Sequence, residues 1–206
     1  MELLKKYFPQ ITELQLEKLI LFEKLIKEWN NKINLISRKD VENFEVNHLL
    51  HSLSILKFIE FKKDTKILDL GTGGGLPGIP LSIVFPDSKF KLIDRKNKKI
   101  NVLNKIISEL GINNASAQSI DIIDSNHNYD FIVNRAVSSA DNLIKLCKGK
   151  INYKGEHAIM EDKVPHHWSL RMSRQISPVC REARARYRVS RRPSPGRRAG
   201  RPVPAP

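Results

Sequence analysis

Cysteine is nearly absent: Cys147 and Cys180 are the only two in 206 residues. Two such residues give neither a disulfide framework nor a zinc-site spacing. There is no run of about 18 apolar residues, so no membrane-spanning helix is expected. The opening MELLKKYFPQITELQ carries charge throughout and lacks an apolar h-region, so no secretory signal is read. These absences leave a cytoplasmic protein as the default, with no membrane partner. Forty per cent hydrophobic residues still suffice for a core. The length allows one domain of ordinary size plus an extension.

Acidic residues are also scarce, 22 against 36 Lys and Arg, a net charge of +14. The excess is uneven. Residues 1–160 hold 24 basic and 19 acidic side chains, whereas 161–206 hold 12 and 3. The bases change kind as well, from 21 Lys and 3 Arg to 1 Lys and 11 Arg. AT-rich coding followed by GC-rich coding writes such a switch, which points to foreign sequence after about residue 160: a frameshift, a fusion scar or a vector. The other reading is a disordered basic arm that binds RNA. Neither predicts structure there, because RRPSPGRRAGRPVPAP cannot build a core. Three parts are expected: a helical cap over 1–62, an α/β domain over 63–163 without its last strands, and a tail over 164–206.

TELQLEKLILFEKLIKEWN, residues 12–30, opens with Thr12 and has Gln15 three later, the pattern of a capping box. Leu14, Leu21, Leu25 and Trp29, with Leu16, Ile20 and Ile26 nearby, predict a broad core-facing stripe. VENFEVNHLLHSLSILKFI predicts another helix. From residue 66 short strands and helices alternate. KILDL, KFKLID, ASAQSI, YDFIVNR and GEHAIM read as strands. GIPLSIVF, KKINVLNKIISEL and SADNLIKLC read as helices, the second ended by Gly111 as a C-cap. Cys147 falls among apolar helix positions and is expected in the core. This alternation predicts an α/β fold with a mostly parallel, Rossmann-like sheet covered on both faces.

In such a sheet ligands sit beyond the carboxyl ends of the strands, so the loop in KILDLGTGGGLPGIPL is the first candidate site. Gly71 and Gly73 allow a tight turn and close backbone approach. The formal G-x-G-x-x-G match, at Gly73, Gly75 and Gly78, begins too late after the strand for a dinucleotide fingerprint. No Gly-Lys-Ser/Thr follows, so a Walker loop fails too. Asp69, two residues before the first glycine, would repel a phosphate and suits a cationic ligand. S-adenosyl-L-methionine fits, with an ammonium, a sulfonium and no phosphate. Asp94 ends the next strand, where a carboxylate can accept both ribose hydroxyls. The plainer alternative has Asp69 capping the loop and Asp94 opening a turn.

DLGTGGGLPGIPLSIVFPD, preceded by WNNKINLISR and followed by FIVNRAVSSADNLIKLC, resembles the ribosomal RNA small subunit methyltransferase G family, also called glucose-inhibited division protein B. The resemblance covers roughly residues 10–160. It implies a class I methyltransferase with an N-terminal helical cap, methylating N7 of a guanine in 16S rRNA with S-adenosyl-L-methionine. The implied partner is small-subunit rRNA or the 30S subunit, and a monomer is expected. By this resemblance Asp69, Gly71, Thr72, Gly73, Gly75 and Leu76 belong to the cofactor loop, and Asp94 to the ribose pocket. Asp121 falls near the adenine, and Arg135 lies near cofactor and RNA as the catalytic candidate. Asn34 and Arg38 fall in the N-terminal signature.

The chain departs from the family in places. Asn47 and His51 replace the Arg and Asp of a motif in which His48 keeps its place. QSIDII puts Asp121 one position off the family's acid. IMEDK, with Glu161, lacks the family's lysine. Hence the alternative is a truncated, catalytically impaired RNA-binding remnant; a small-molecule methyltransferase is a third reading. His48 and His51 share a helix face, but no third ligand accompanies them and no metal is expected. Lysine runs at Lys62 and Lys63 and at Lys96, Lys98 and Lys99 suit RNA phosphates or simply solvated helix faces.

Overall fold

In a computed structural model, residues 1–125, 127–135, 140–160 and 170–172 are described. Two helices come first, α1 over Glu2–Tyr7 and α2 over Glu13–Asn30. The capping box is present: Gln15 N donates to Thr12 Oγ1 and Thr12 N donates to Gln15 Oε1. The buried face of α2, however, is Leu16, Leu19, Phe22, Leu25 and Ile26. Leu14, Ile20 and Leu21 are exposed, which corrects the expected stripe. The apolar residues of α2 spread over a wide arc and leave more than one candidate face, and packing on α4 and α5 helps select among them.

The second N-terminal helical run starts later than its sequence predicts. A 3-10 turn, Arg38–Asp40, precedes a π-helical turn, Glu45–Leu50. One α-helical turn, α3 over His51–Leu53, and a 3-10 turn, Ser54–Lys57, complete it.

Alternation then holds: β1 Lys66–Leu70, α4 Gly78–Val84, β2 Lys89–Asp94, α5 Asn97–Glu109, β3 Ala115–Ser119 and β4 Tyr129–Arg135. Helix α6, Ala140–Leu146, β5, Ile151–Met160, and β6, Leu170–Met172, follow. The sheet order is β3-β2-β1-β4-β5-β6. The first five strands are parallel, and β6 pairs antiparallel with β5. This is the Rossmann-like class I architecture. β6 is unexpected, because it lies in the stretch from which composition predicts no element. The rest of the tail is outside the described residues, as is Glu161.

A strand buried on both faces needs two cores. On one face Ile67, Ile79, Leu81 and Leu103 join the N-terminal Leu19, Phe22 and Phe44 in a single cluster. On the other, Leu68, Leu70, Ile132, Leu143 and the buried Cys147 form a smaller one. Gly111 takes a φ of +59° just after α5, as its C-cap role requires. Among the described residues, no helix is long and apolar enough to cross a membrane.

Candidate functional site

Parallel strands bring their carboxyl ends to one edge of the sheet. There β1, β2 and β4 open onto a cavity of about 670 Å³, a size common for small-molecule sites. Its floor is the loop after β1. The loop is tied to the next strand, since Gly71 N and Thr72 N both donate to Ile93 O, at 2.9 and 3.0 Å. Gly71, Thr72, Gly73 and Leu76 line the cavity, with Asp94, Asp121 and Arg135 on its sides. Asp69 and Gly75 stand behind that lining.

Asp69 is fully buried. Its Oδ2 accepts from Thr72 Oγ1 at 2.6 Å and from Gly78 N at 2.8 Å, so the carboxylate holds the loop from beneath. Its Oδ1 has no hydrogen-bond partner. Burial pushes the carboxyl up to about 6, against the pull of those two bonds. The loop therefore rests on an acid with one unmet oxygen, a setting that favours a cation nearby.

Asp94 Oδ2 accepts from Gly73 N at 3.0 Å, and its Oδ1 accepts from Lys96 N at 2.8 Å. Gly73 takes φ +56°, the left-handed conformation that lets its amide turn toward Asp94. Thus the two plainer roles, Asp69 as loop cap and Asp94 as turn former, are geometries that the chain adopts. They coexist with a cavity lined by Asp94. Asp121 caps the 3-10 turn Ile122–Asp124 through Ile123 N and pairs with Arg95 at 2.7 Å.

The wall opposite the glycine loop comes from the N-terminal segment: Leu35, Ile36, Ser37, Asp40 and His48. Asn34 and Arg38 are exposed and do not line the cavity. Instead Asn30, buried at the end of α2, accepts from Leu35 N and Ile36 N through Oδ1, at 2.8 and 3.0 Å. Lys99 Nζ donates to Leu35 O at 3.2 Å. Arg135 reaches the same wall, donating to Asn47 O and lying against His48 Nδ1. The motifs name His48 and Arg135 and include Asn30 within WNNKINLISR, but they do not reveal the contacts these residues make. Beyond its place in WNNKINLISR, the signal for Asn30 is a polar residue on the buried face of an amphipathic helix. His48 and His51 have no third ligand beside them: no group of metal-ligating side chains occurs among the described residues.

The site thus combines a roomy cleft, a glycine loop resting on an acid and a second acid at the end of β2, features that suit S-adenosylmethionine. The family model described as rRNA small subunit methyltransferase G matches residues 15–176. The match continues past residue 160, where the composition switches. Several relatives carry the name ribosomal RNA small subunit methyltransferase G. That of Christiangramia forsetii is 46% identical over 157 residues, 76% of this chain and 74% of its own. That of Bacteroides thetaiotaomicron is 44% identical over 159 residues, 77% of each chain. That of Flavobacterium johnsoniae is 42% identical over 159 residues, 77% of this chain and 76% of its own. On the match of the family model and the identity to these relatives, the chain belongs to the rRNA small subunit methyltransferase G family.

Proposed function

We propose that this chain transfers a methyl group from S-adenosylmethionine to N7 of a guanine in small-subunit rRNA. The observation that carries the reading is a single cavity lined by the glycine loop, Asp94, Asp121 and Arg135, in a member of this family. The span of the family match favours the enzyme over a truncated remnant.

S-adenosylmethionine, when bound, supplies a methyl group made electrophilic by its sulfonium. In our reading Asp94 accepts the ribose hydroxyls, exchanging its bond to Gly73 N for them. The backbone of Gly71, Thr72 and Gly73 lies along the amino-acid portion. Asp69 gives that region negative potential from beneath, and Gly75 shapes the turn. Leu76 supplies apolar contact, and Asp121 stands at the adenine end. Arg135 faces the RNA, where a guanidinium can meet a phosphate or the O6 of guanine.

Guanine N7 has a free lone pair and no proton to lose, so the chain needs no general base. Its contribution is orientation, which is worth several kcal/mol when the reacting atoms are held about 3 Å apart. The N-terminal cap over 1–62 and the α/β domain over 63–163 share the work, since both line the cavity. A cytoplasmic monomer acting on rRNA or on the 30S subunit completes the proposal.

The test has two arms. Calorimetry should record binding of S-adenosylhomocysteine by the intact chain and a loss of at least tenfold in Asp94→Ala; no heat at millimolar ligand would sink the cofactor site. Incubation of 30S subunits, or of naked 16S rRNA, with methyl-labelled cofactor should place the label in 7-methylguanosine. Label in any other nucleoside refutes the assignment to N7.

A further inference from the structure

Arg135, the last residue of β4, meets the N-terminal cap at two points. Its Nη1 donates to the carbonyl of Asn47 at 3.2 Å, and its Nη2 lies 2.7 Å from Nδ1 of His48. A guanidinium carries only donors. His48 Nδ1 must therefore accept, which makes the ring neutral and places its proton on Nε2. Burial, and next the charge of Arg135, push the imidazole down to about 4, consistent with that state.

The other ring nitrogen tells what the contact is for. His48 is 3% exposed and packs on the Phe44 ring at 5.1 Å between centroids. Its Nε2 is buried without a hydrogen-bond partner. A buried donor left unmet is unfavourable, and an apolar side chain would fill this space without that penalty. The imidazole is thus a poor choice for stability and a good one for holding a guanidinium.

Both contacts to Arg135 arise from the π-helical turn Glu45–Leu50, a widened winding that recurs at functional sites. The turn is itself steadied, because Asn47 Nδ2 donates to Asp40 Oδ1 at 3.2 Å. Asp40, His48 and Arg135 all line the cavity. Two successive cap residues thereby set the direction of one cation belonging to the sheet.

From this geometry we propose that His48, with the Asn47 carbonyl, is a positioning residue for Arg135: the cap aims the guanidinium at the RNA base. The inference rests on the methyltransferase reading above. In that reaction His48 acts through Arg135, whose guanidinium it holds.

Misaiming a group that orients the substrate costs about 10- to 100-fold in rate. In methylation of 30S subunits, His48→Ala should lose that much kcat while binding S-adenosylhomocysteine within about twofold of the parent. His48→Gln, whose side-chain oxygen can accept from the guanidinium, should recover most of the loss. The double variant His48→Ala with Arg135→Ala should be no slower than Arg135→Ala alone. Full activity of His48→Ala, or additive losses in the double variant, would overturn the proposal.

A readout free of activity separates this inference from the function on which it rests. With 15N-labelled histidine, the resonance absent from His48→Gln belongs to His48. At pH 7 it should report a neutral ring with the proton on Nε2, and it should shift in Arg135→Lys. A proton on Nδ1 defeats the clamp whatever the enzyme's activity. The expected tautomer in a chain that methylates nothing defeats the function and leaves the clamp standing.

Discussion

The amide of Gly78 donates to Asp69 Oδ2 at 2.8 Å, and a Cβ placed on Gly78 would sit 2.6 Å from that same oxygen. The first residue of α4 and the carboxylate beneath the glycine loop therefore fit only because position 78 has no side chain. Leu92 Cγ, at 2.9 Å from the hypothetical Cβ, closes the other direction of escape. Gly78→Ala must move the start of α4 away from β1 or break the Asp69 bond. We expect a loss of about 1–3 kcal/mol in chemical denaturation, the range for overpacking a tight site. A weakening of S-adenosylhomocysteine binding larger than the stability loss explains should accompany it. An unchanged denaturation midpoint would show that α4 can shift freely.

Asp69 itself predicts a pH dependence. Burial raises its carboxyl from 3.8 to about 6 in the folded chain. Between those values the folded state binds more protons than the unfolded state, so this group's contribution to stability falls as pH rises through the window. Above about pH 6 the full cost of a buried charge is present. In Asp69→Asn, the amide oxygen can still accept from Thr72 and Gly78, and the titration is removed. The variant should be at least as stable as the parent at pH 8, with an advantage that shrinks toward pH 4. It should also bind S-adenosylhomocysteine more weakly. Urea unfolding at pH 4.5, 6 and 8 measures the first; an advantage that grows toward acid would reverse the assigned sign.

Much of this was legible in the sequence because the relevant signals are local. KILDL, YDFIVNR and the glycine loop declare themselves through strand propensity and left-handed turns, and the structure keeps those boundaries within a residue. Thr12 and Gln15 form their box because both partners lie within one helical turn. The buried face of α2 was not legible. Leu14 and Leu21 are as apolar as Leu16 and Leu19, and partners distant in sequence, among them Phe44, α4 and α5, decide between them. For the same reason the cavity's second wall was legible only in part: WNNKINLISR and His48 stand out as motif residues, but their contacts do not. Asn30, His48 and Lys99 act through partners 5 to 87 residues distant, and no motif records that distance. β6 was hidden by the composition of the segment that holds it.

The capping box gives a small, clean test of the cap. Gln15 also donates through Nε2 to Val84 O at 3.1 Å, which links the start of α2 to the end of α4. Thr12→Ala removes one half of the box and leaves this link in place. It should cost about 1 kcal/mol, as losing an N-cap hydroxyl usually does. Cofactor binding should not change, because Thr12 is not among the residues that line the cavity. A loss above 3 kcal/mol would mean that the cap unfolds with its first turn.

Asn30 offers the sharper prediction for the cavity. Its Oδ1 is the acceptor for two consecutive amides, Leu35 and Ile36, in a loop that lacks regular secondary structure. Those residues pack on the glycine loop so closely that a Cβ on Gly74 would lie 2.9 Å from Ile36 Cγ2. Asn30→Ala strands two amides, at about 1–3 kcal/mol for each that water cannot reach. The segment should then lift from the glycine loop rather than bury them unmet. Hydrogen exchange at Leu35 and Ile36 should accelerate about tenfold or more, while the amides of β1 and β2 keep their protection. Ligand affinity should fall in parallel, because the wall and the loop form one cleft. Asn30→Asp, which preserves the acceptor, should protect the same amides nearly as well as the parent. Equal acceleration in both variants would show that the helix end, and not the carbonyl oxygen, holds the wall in place.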